Sequence, residues 1–381
     1  MIVFFCLKFG ISLHAQISVN NSQIKDLSDP TDLQDAVSKS YLINHINQLQ
    51  SQIKYLQKNL NVTPANECID GNAGGYECMG IDLMYTISLQ QLNATMANDC
   101  WGWTDSQTGR EYAIIGLDNG TAFIDITIPN QPVIVGKLPT QTEDSTWRDI
   151  KVFGNYACIV SEAENHGMQI FDLTHLRDVY NFTIFSSDSQ YNDFGNAHNI
   201  AINEDSGYAY AVGSQTFNGG AHFIDISDPL SPISAGGYSA SGYSHDAMIV
   251  NYNGPDLDYK GREIYFGSNE NEVVIVDVTD KSNPTFISSI QYSQTQYVHQ
   301  GWLTDDQKYF FVGDELDELY NDTNTRTIIL DFSDLDEPLV HFEYISPHSV
   351  IDHNGYLVGD LFYLASYTGG LRILDIKNIE S

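Results

Sequence analysis

The stretch VVIVDVTDKSNP, residues 273–284, is the clearest copy of a phrase that recurs along this chain. In each copy a short apolar run ends on an aspartate, and most copies then enter a turn. The copies are AFIDITIPNQP around Asp125, MQIFDLTHL around Asp172, HFIDISDPLSP around Asp225, VVIVDVTDKSNP around Asp277, IILDFSDLDEP around Asp331 and LRILDI around Asp375. Successive aspartates lie 47, 53, 52, 54 and 44 residues apart, a period that predicts a β-propeller or a similar array.

Each unit contains four apolar segments, which predicts an all-β propeller with four-stranded blades. In the third unit these segments are HNIAI (198–202), YAYAV (208–212), AHFIDI (221–226) and PISAGGY (232–238). Six units can be counted, and the sixth stops before a fourth strand. The segment IDLMYTISL (81–89) is predicted to pair with the last sheet and close the ring, because closure removes two exposed strand edges.

The composition narrows the functional classes. The chain has 381 residues and is 42% hydrophobic, enough for a large core. Its formal charge is −33, from 17 Lys and Arg against 50 Asp and Glu, and such a surface repels nucleic acids and anionic membranes. Beyond the amino terminus no run approaches 18 apolar residues, so we expect no transmembrane span.

Two segments precede the predicted propeller of residues 67–381. Residues 1–15 form an apolar run ending in alanine, which predicts a secretory signal peptide and an extracellular protein; the alternative is a misassigned or truncated start. Within residues 16–66, apolar residues at spacings of 4 and 3 predict a short helix over residues 42–60. That helix either forms a coiled coil that makes a homo-oligomer or lies singly on the domain.

Cysteine usage agrees with export. Cys68 and Cys78 bracket a glycine-rich loop and are predicted to form a disulfide. Cys100 and Cys158 either form a second bridge or are small buried residues in neighbouring strands.

The first strands of the six units suggest a site. They begin NDCWGW (98–103), RDIKV (148–152), HNIAI (198–202), HDAMI (245–249), HQGWL (299–303) and HNGYL (353–357). First strands line the central channel of a propeller, so equivalent positions should form a ring. Four imidazoles then converge, and imidazole is a good ligand for Zn, Cu or Fe. The predicted metal ligands are His198, His245, His299 and His353.

The remaining members of the ring are predicted to bind a ligand or to support the histidines. Asn98 and Arg148 occupy the first column, where the guanidinium offers a two-pronged contact to a carboxylate or phosphate. Asp149 and Asp246 belong to the second column, which reads Asp99, Asp149, Asn199, Asp246, Gln300 and Asn354 and should bond neighbouring backbone. The alternative interpretation is that both columns are structural and bridge the blades through water.

Other motifs are weaker. NGPDLDYKGRE (253–263) offers Asp256, Asp258 and Glu263 as calcium ligands but lacks the EF-hand pattern. The acidic GDELDELYND (313–322) could also bind calcium, although a solvated loop is the favoured interpretation. His166, His175, His222 and His341 are expected to be ordinary. The chain contains no G-x-S-x-G, C-x-x-C, phosphate loop or H-E-x-x-H.

From Cys68 to Ile376 the sequence resembles the choice-of-anchor B family of secreted proteins with LVIVD-type repeats. The matching phrases include STWRDIKV (145–152), FGNAHNIAIN (194–203), HDAMIVNYNGPDLDYKGREI (245–264), VDVTDKSNP (276–284) and HQGWLTDD (299–306). The resemblance implies a secreted or surface propeller of seven blades, often with a surface anchor. It implies no reaction.

The sequence leaves three hypotheses about the function open. The first is a secreted β-propeller that binds an unknown protein or small molecule, with a histidine-rich site on the axis. The second is an extracellular metal-dependent enzyme, a hydrolase or oxidoreductase, that uses those histidines. The third is a purely structural surface protein.

Overall fold

The computed structural model of the protein describes residues 2–4 and 66–380, which fall into two units. Residues 2–4, 66–88 and 125–133 belong to the first unit, and residues 89–124 and 134–380 to the second. Except for residues 2–4, the predicted signal peptide lies outside the described residues, as does the predicted helix of residues 42–60. No helix of the described residues is both long and apolar enough to cross a bilayer.

The first unit is built from short strands and a disulfide. Its strands are β1 (Ile2–Phe4), β2 (Asn72–Ala73), β3 (Tyr76–Glu77) and β4 (Tyr85–Ile87). The bridge between Cys68 and Cys78, with Cα atoms 5.9 Å apart, confirms the predicted pairing. β4 pairs with β1, and the last sheet contains only β26, β27 and β28, so the predicted closing role of residues 81–89 is wrong.

The second unit contains the blades, apart from residues 125–133, which link the third and fourth strands of blade one. Blade one comprises β5 (Ala97–Thr104), β6 (Glu111–Leu117), β7 (Gly120–Asp125) and β8 (Val133–Pro139). Blade two comprises β9 (Arg148–Phe153), β10 (Tyr156–Ser161) and β11 (Met168–Asp172), followed by a 3₁₀ helix (Leu173–Leu176), β12 (Thr183–Ile184) and β13 (Ser189–Tyr191). β13 is the outer strand of blade two, whereas β12 crosses to pair in parallel with β8 of blade one.

The later blades follow the same order. Blade three comprises β14 (Asn199–Asn203), β15 (Tyr208–Val212), a 3₁₀ turn (Phe217–Gly219), β16 (His222–Asp225) and β17 (Ile233–Gly237). Blade four comprises β18 (Asp246–Asn251), β19 (Glu263–Ser268), β20 (Val273–Asp277) and β21 (Thr285–Ile290). Blade five comprises β22 (Val298–Leu303), β23 (Tyr309–Asp314), helix α1 (Asp317–Tyr320), β24 (Arg326–Asp331) and β25 (Leu339–Ile345). Blade six comprises β26 (Asp352–Val358), β27 (Leu361–Ser366) and β28 (Gly370–Asp375).

The described residues therefore form six blades, five with at least four strands and a sixth with three. The count from the sequence is confirmed, and the seventh blade that the resemblance implies is not among these residues. The first strands β5, β9, β14, β18, β22 and β26 lie side by side in that order. Trp101 of β5 meets Tyr356 of β26 edge to face, with ring centroids 5.9 Å apart, and completes the ring.

The recurring aspartate stabilises the turn after the third strand of every blade. Its Oδ1 accepts a hydrogen bond from the backbone N–H two residues later, at 2.8 to 3.0 Å in all six cases. These bonds are Thr127 to Asp125, Thr174 to Asp172, Ser227 to Asp225, Thr279 to Asp277, Ser333 to Asp331 and Lys377 to Asp375. The aspartate thus forms an Asx turn, which explains why the sequence phrase is aspartate and not simply polar.

The core lies in layers between successive blades. Between blades four and five, Phe266, Phe310 and Phe332 stack with ring centroids 5.3 to 5.6 Å apart. Gly301 makes this stack possible, because a Cβ there would collide with the ring of Phe310. Cys100 and Cys158 are unpaired, and the fully buried Cys158 belongs to the layer between blades two and three, so these two cysteines do not form the second bridge.

Candidate metal and ligand site on the propeller axis

The four histidines of the aligned column meet at one end of the axis. His299 and His353 lie in β22 and β26, whereas His198 and His245 directly precede β14 and β18. Ring centroids are 4.1 Å apart for His198 and His245, 4.4 Å for His245 and His299, and 4.3 Å for His299 and His353. The predicted convergence of these side chains is confirmed.

These imidazoles line a cavity of about 290 Å³ together with carboxylates and aromatic rings. Two of its acids, Glu162 and Glu315, are missing from the sequence prediction because they lie in loops that the strand alignment does not cover. Glu162 Oε1 lies 2.7 Å from His198 Nδ1. The aromatic residues that line the cavity are Trp147, Tyr243, Tyr297 and Tyr367.

One trio has the arrangement of a metal site. Glu315 Oε2 lies 3.7 Å from His299 Nε2, and Glu315 Oε1 lies 3.9 Å from His353 Nε2. The three ligand atoms of the trio lie within 4.8 Å of one another. The hydroxyl of Tyr367 donates a hydrogen bond to Glu315 Oε1 and thereby orients the carboxylate.

Burial keeps the imidazoles of His245, His299 and His353 neutral near pH 7. Desolvation, with the neighbouring His198, lowers the pKa of His245 to about 3 and that of His353 to about 4. Desolvation and the adjacent imidazoles hold the pKa of His299 well below its ordinary range. Burial raises the pKa of Glu315. Neutral imidazole is the form that binds a transition metal.

The structure does not bring Arg148 into the cavity. Its guanidinium is fully buried and donates to Leu117 O at 3.0 Å and to Thr140 Oγ1 at 2.7 Å. Its third contact is His166 Nε2 at 2.8 Å, so His166 is a buried partner and not an ordinary loop histidine. With its fork engaged in this way, Arg148 is not available for the anion contact that the sequence suggested. Asn98 lines the cavity, but its Nδ2 donates to Arg148 O at 2.8 Å.

The second column ties neighbouring blades together, as the sequence predicts. Asp99, Asp149 and Gln300 each accept a hydrogen bond from a backbone N–H of the next blade, at 2.8 to 2.9 Å. The donors are Ile150, Ile200 and Gly355. Asp246 accepts from Asn199 Nδ2 at 2.8 Å. Asp149 and Asp246 also line the cavity, so supporting the blades does not remove them from it.

A buried lysine on β9, which the sequence did not single out, neutralises one of the second-column aspartates. Lys151 Nζ contacts Asp149 Oδ1 at 2.9 Å and lies 4.8 Å from the ring centre of Trp101. Burial raises the pKa of Asp246 to about 7, although Lys151 opposes that rise. Lys151 is therefore a buried cation whose direct partner is the carboxylate of Asp149.

The acidic loops differ from their predicted roles. Asp256 groups with Asp334 and Asp336, whose carboxylate oxygens lie within 4.8 Å, whereas Asp258 is not part of this cluster. The segment 313–322 is not a solvated loop throughout, because Asp314 and Asp317 are completely buried. A local sequence cannot reveal this, since the groups that bury them come from β26 and from the loop that precedes β22.

The comparisons agree with the repeat and the fold. A family model of the LVIVD repeat matches residues 146–172, 194–240 and 258–291. No curated protein matches the sequence. A putative 6-phosphogluconolactonase from Bacteroides uniformis is 13% identical with a TM-score of 0.53, over 72% of this chain and 80% of that one.

A second solved structure shows the same architecture. Raptor from Chaetomium thermophilum is 8% identical with a TM-score of 0.51, over 74% of this chain and 23% of that one. At such low identity these two structures establish the fold and nothing further. The protein is thus a β-propeller with LVIVD repeats and a histidine-rich cavity on its axis.

Proposed function

We propose that the protein is a secreted binding module of the choice-of-anchor B type, whose axial cavity binds its ligand through a transition metal, Zn, Cu or Fe. His299, Glu315 and His353 are the proposed metal ligands. The observation that carries this proposal is the mutual approach of their three ligand atoms within 4.8 Å in the axial cavity. Two imidazoles and a carboxylate are a common donor set for these metals.

The surroundings of the trio favour binding. Three protein ligands leave coordination positions open on the metal, and the polar cavity beyond them can hold a small ligand or a side chain of a partner protein. His198 and His245 extend the row of imidazoles away from the trio. The hydrogen bond from Tyr367 to Glu315 resembles the outer contacts that orient metal-bound carboxylates.

Three observations support an extracellular location for this module. The disulfide between Cys68 and Cys78 suits an oxidising compartment. The apolar start of the chain suits a signal peptide. The sequence phrases that resemble those of choice-of-anchor B proteins, in the same order, suit a secreted propeller.

An enzyme is the second candidate, because catalytic metal sites also keep a coordination position open. Tyr243, Tyr297 and Tyr367 line the same cavity. The third candidate, a structural protein without a ligand, predicts that the purified chain holds no metal.

Metal analysis of the secreted full chain tests the proposal. We expect about one equivalent of Zn, Cu or Fe per chain, and an affinity at least about 10-fold weaker in His353→Ala and in Glu315→Gln, since even outer partners of a metal ligand contribute that much. His341→Ala is the matched control, because this exposed histidine on β25 bonds Ile379 O, far from the trio. It should keep the metal.

The outcomes separate the candidates. Wild-type protein that stays metal-free after exposure to all three metals contradicts the proposal and favours the structural candidate. Metal-loaded protein that hydrolyses chromogenic esters or oxidises phenols, with turnover lost in Glu315→Gln, favours the enzyme. Metal retained by both cavity variants shows that the metal lies elsewhere.

A further inference from the structure

Aromatic side chains are gathered around the axial cavity. The four that line it, called here the aromatic rim, are Trp147, Tyr243, Tyr297 and Tyr367. Three of them also reach the solvent, since Trp147 is 38% exposed, Tyr243 36% and Tyr367 53%. Exposed aromatic rings that surround one cavity form the kind of apolar surface that marks a binding site.

Three rings of the aromatic rim lie beside a histidine of the axial row. The ring centroids are 6.2 Å apart for Trp147 and His198, 5.2 Å for Tyr297 and His245, and 5.5 Å for Tyr367 and His353. The aromatic rim and the row of imidazoles therefore belong to the wall of one cavity, and a ligand that enters it meets both.

Tyr243, the fourth ring, is held in place by two glycines of blade three. A Cβ at Gly219 would lie 2.7 Å from Cδ2 of this ring, and a Cβ at Gly213 would lie 3.2 Å from its hydroxyl oxygen. Both glycines have a positive φ, 63° at Gly213 and 81° at Gly219, which other residues rarely adopt. The loop after β15 is thus shaped to accept the tyrosine at this position.

A carboxylate lies next to Trp147. The backbone N–H of Glu162, just after β10, donates to Trp147 O, just before β9, at 3.2 Å. Glu162 Oε1 lies 2.7 Å from His198 Nδ1, and 38% of the glutamate side chain remains exposed. One part of the cavity wall therefore combines an exposed indole, a partly exposed carboxylate and an imidazole.

The lining of the cavity is acidic. Five of its residues carry a carboxyl group, and no lysine or arginine is among the described residues that line it. These acids are Asp99, Asp149, Glu162, Asp246 and Glu315. Lys151, which lies close by, is engaged by Asp149 at 2.9 and 3.0 Å. With a formal charge of −33 on the whole chain, the field at this cavity attracts cations and repels anions.

We propose that the aromatic rim binds an organic ammonium ion, with Trp147 and Tyr243 against the cationic group and Glu162 as its counter-charge. The negative face of an aromatic ring attracts an ammonium group, and tryptophan does so most strongly. A sugar could stack on the same rings, but the acidic lining favours a charged ligand. The inference deepens the proposed function and rests on it for the ligand-binding role of the cavity, although it does not require the metal.

Calorimetric titration of the secreted full chain at constant ionic strength tests the inference. The probes are choline and butylammonium, each compared with a neutral molecule of similar shape, 3,3-dimethylbutanol and butanol. We expect a cation to bind with a Kd of about 1 mM or below, and its neutral counterpart at least about 10-fold more weakly, because the neutral molecule lacks the cation–π attraction.

Variants locate the binding. Trp147→Leu should weaken cation binding about 10-fold, and Trp147→Phe less, because phenylalanine keeps an aromatic face. Glu162→Gln should weaken it about 5-fold through the lost counter-charge. The matched controls are Tyr180→Leu, an exposed tyrosine outside the cavity, and Glu164→Gln, which makes the same charge change two residues away. Both controls should bind the cation as wild type does.

Titrations before and after chelator treatment separate this inference from the metal proposal. Cation binding by a chain that holds no metal supports the inference although the metal proposal has failed. Metal-loaded protein that binds neither cation at roughly 10 mM overturns the inference alone. Equal binding of a cation and its neutral counterpart also overturns it, as does glucose binding that is lost in Trp147→Leu when neither cation binds, since the rim is then a sugar site.

Discussion

At the scale of single residues, Lys151 shows how charge is managed inside the channel. Its side chain is 10% exposed, and its Nζ lies 2.9 and 3.0 Å from the two oxygens of Asp149. Asp149 also accepts from Ile200 N of the next blade at 2.8 Å, so one carboxylate joins the lysine to the blade contact. Burial of Asp99 raises the pKa of that carboxyl, and the charge of Asp149 raises it further.

Replacing the lysine should therefore be costly. Lys151→Met keeps the aliphatic stem but leaves Asp149 as a buried charge without its cation, so we expect a loss of about 3–5 kcal/mol in the free energy of unfolding. Urea denaturation measures it. Lys377→Met is the control, because Lys377 and Asp375 form an exposed pair at 3.8 Å, and we expect a change of less than about 1 kcal/mol. Equal effects of the two changes would contradict this account.

At the scale of the element, each blade repeats one device at the end of its third strand. The aspartate that ends the strand accepts the backbone N–H two residues later in all six blades. The bond satisfies a donor that the strand ladder leaves free and turns the chain toward the fourth strand or, in blade six, toward residues 377–380. Because this turn follows the third strand of each blade, the aspartate recurs once per blade and not after every strand.

The aspartate at 331 offers a clean test of this turn. Its Oδ1 accepts from Ser333 N at 2.8 Å. Asp331→Ala removes the acceptor and should lower the free energy of unfolding by about 0.5–1.5 kcal/mol. Asp331→Asn keeps a carbonyl oxygen at that position and should change the free energy of unfolding by only roughly a few tenths of a kcal/mol. If both variants lose the same free energy of unfolding in urea denaturation, the charge of Asp331 and not its Asx turn stabilises the protein.

At the scale of the whole ring, the histidine site exists because first strands from four successive blades bury their imidazoles against one another. Desolvation in this shared space lowers the pKa of His353 to about 4. Between that value and the ordinary pKa near 6.5, the unfolded chain binds a proton at this histidine and the folded chain does not. The contribution of His353 to stability is therefore present above about pH 6.5 and falls as the pH drops toward 4.

A pH series isolates that contribution. Burial raises the pKa values of Asp246 and Asp317 to about 7. These two acids change stability in the opposite direction over the same pH range, so the pH dependence of the wild type alone does not isolate His353. The difference between wild type and His353→Gln cancels them. In chelator-treated protein, the free energy of unfolding of the wild type relative to that of His353→Gln should fall by about 1–3 kcal/mol from pH 7 to pH 4. A constant difference would mean that His353 titrates normally in the folded state.

The amino-acid sequence by itself determined the repeat, the propeller, the number of blades in the described chain and the row of four histidines. These properties follow from local periodicity, since residues about 50 positions apart occupy equivalent places in successive sheets. The disulfide between Cys68 and Cys78 was equally accessible, because the loop between them is short.

Only the tertiary structure decided which other groups join the histidines and which predicted ones do not. Glu315 and Glu162 come from loops whose positions have no equivalent in the repeat, so alignment cannot find them. Arg148 occupies the right column, yet its longer side chain reaches Thr140 and His166 and leaves the cavity. Periodicity sets where a backbone position lies, whereas the direction and partners of a side chain depend on neighbours that are distant in sequence.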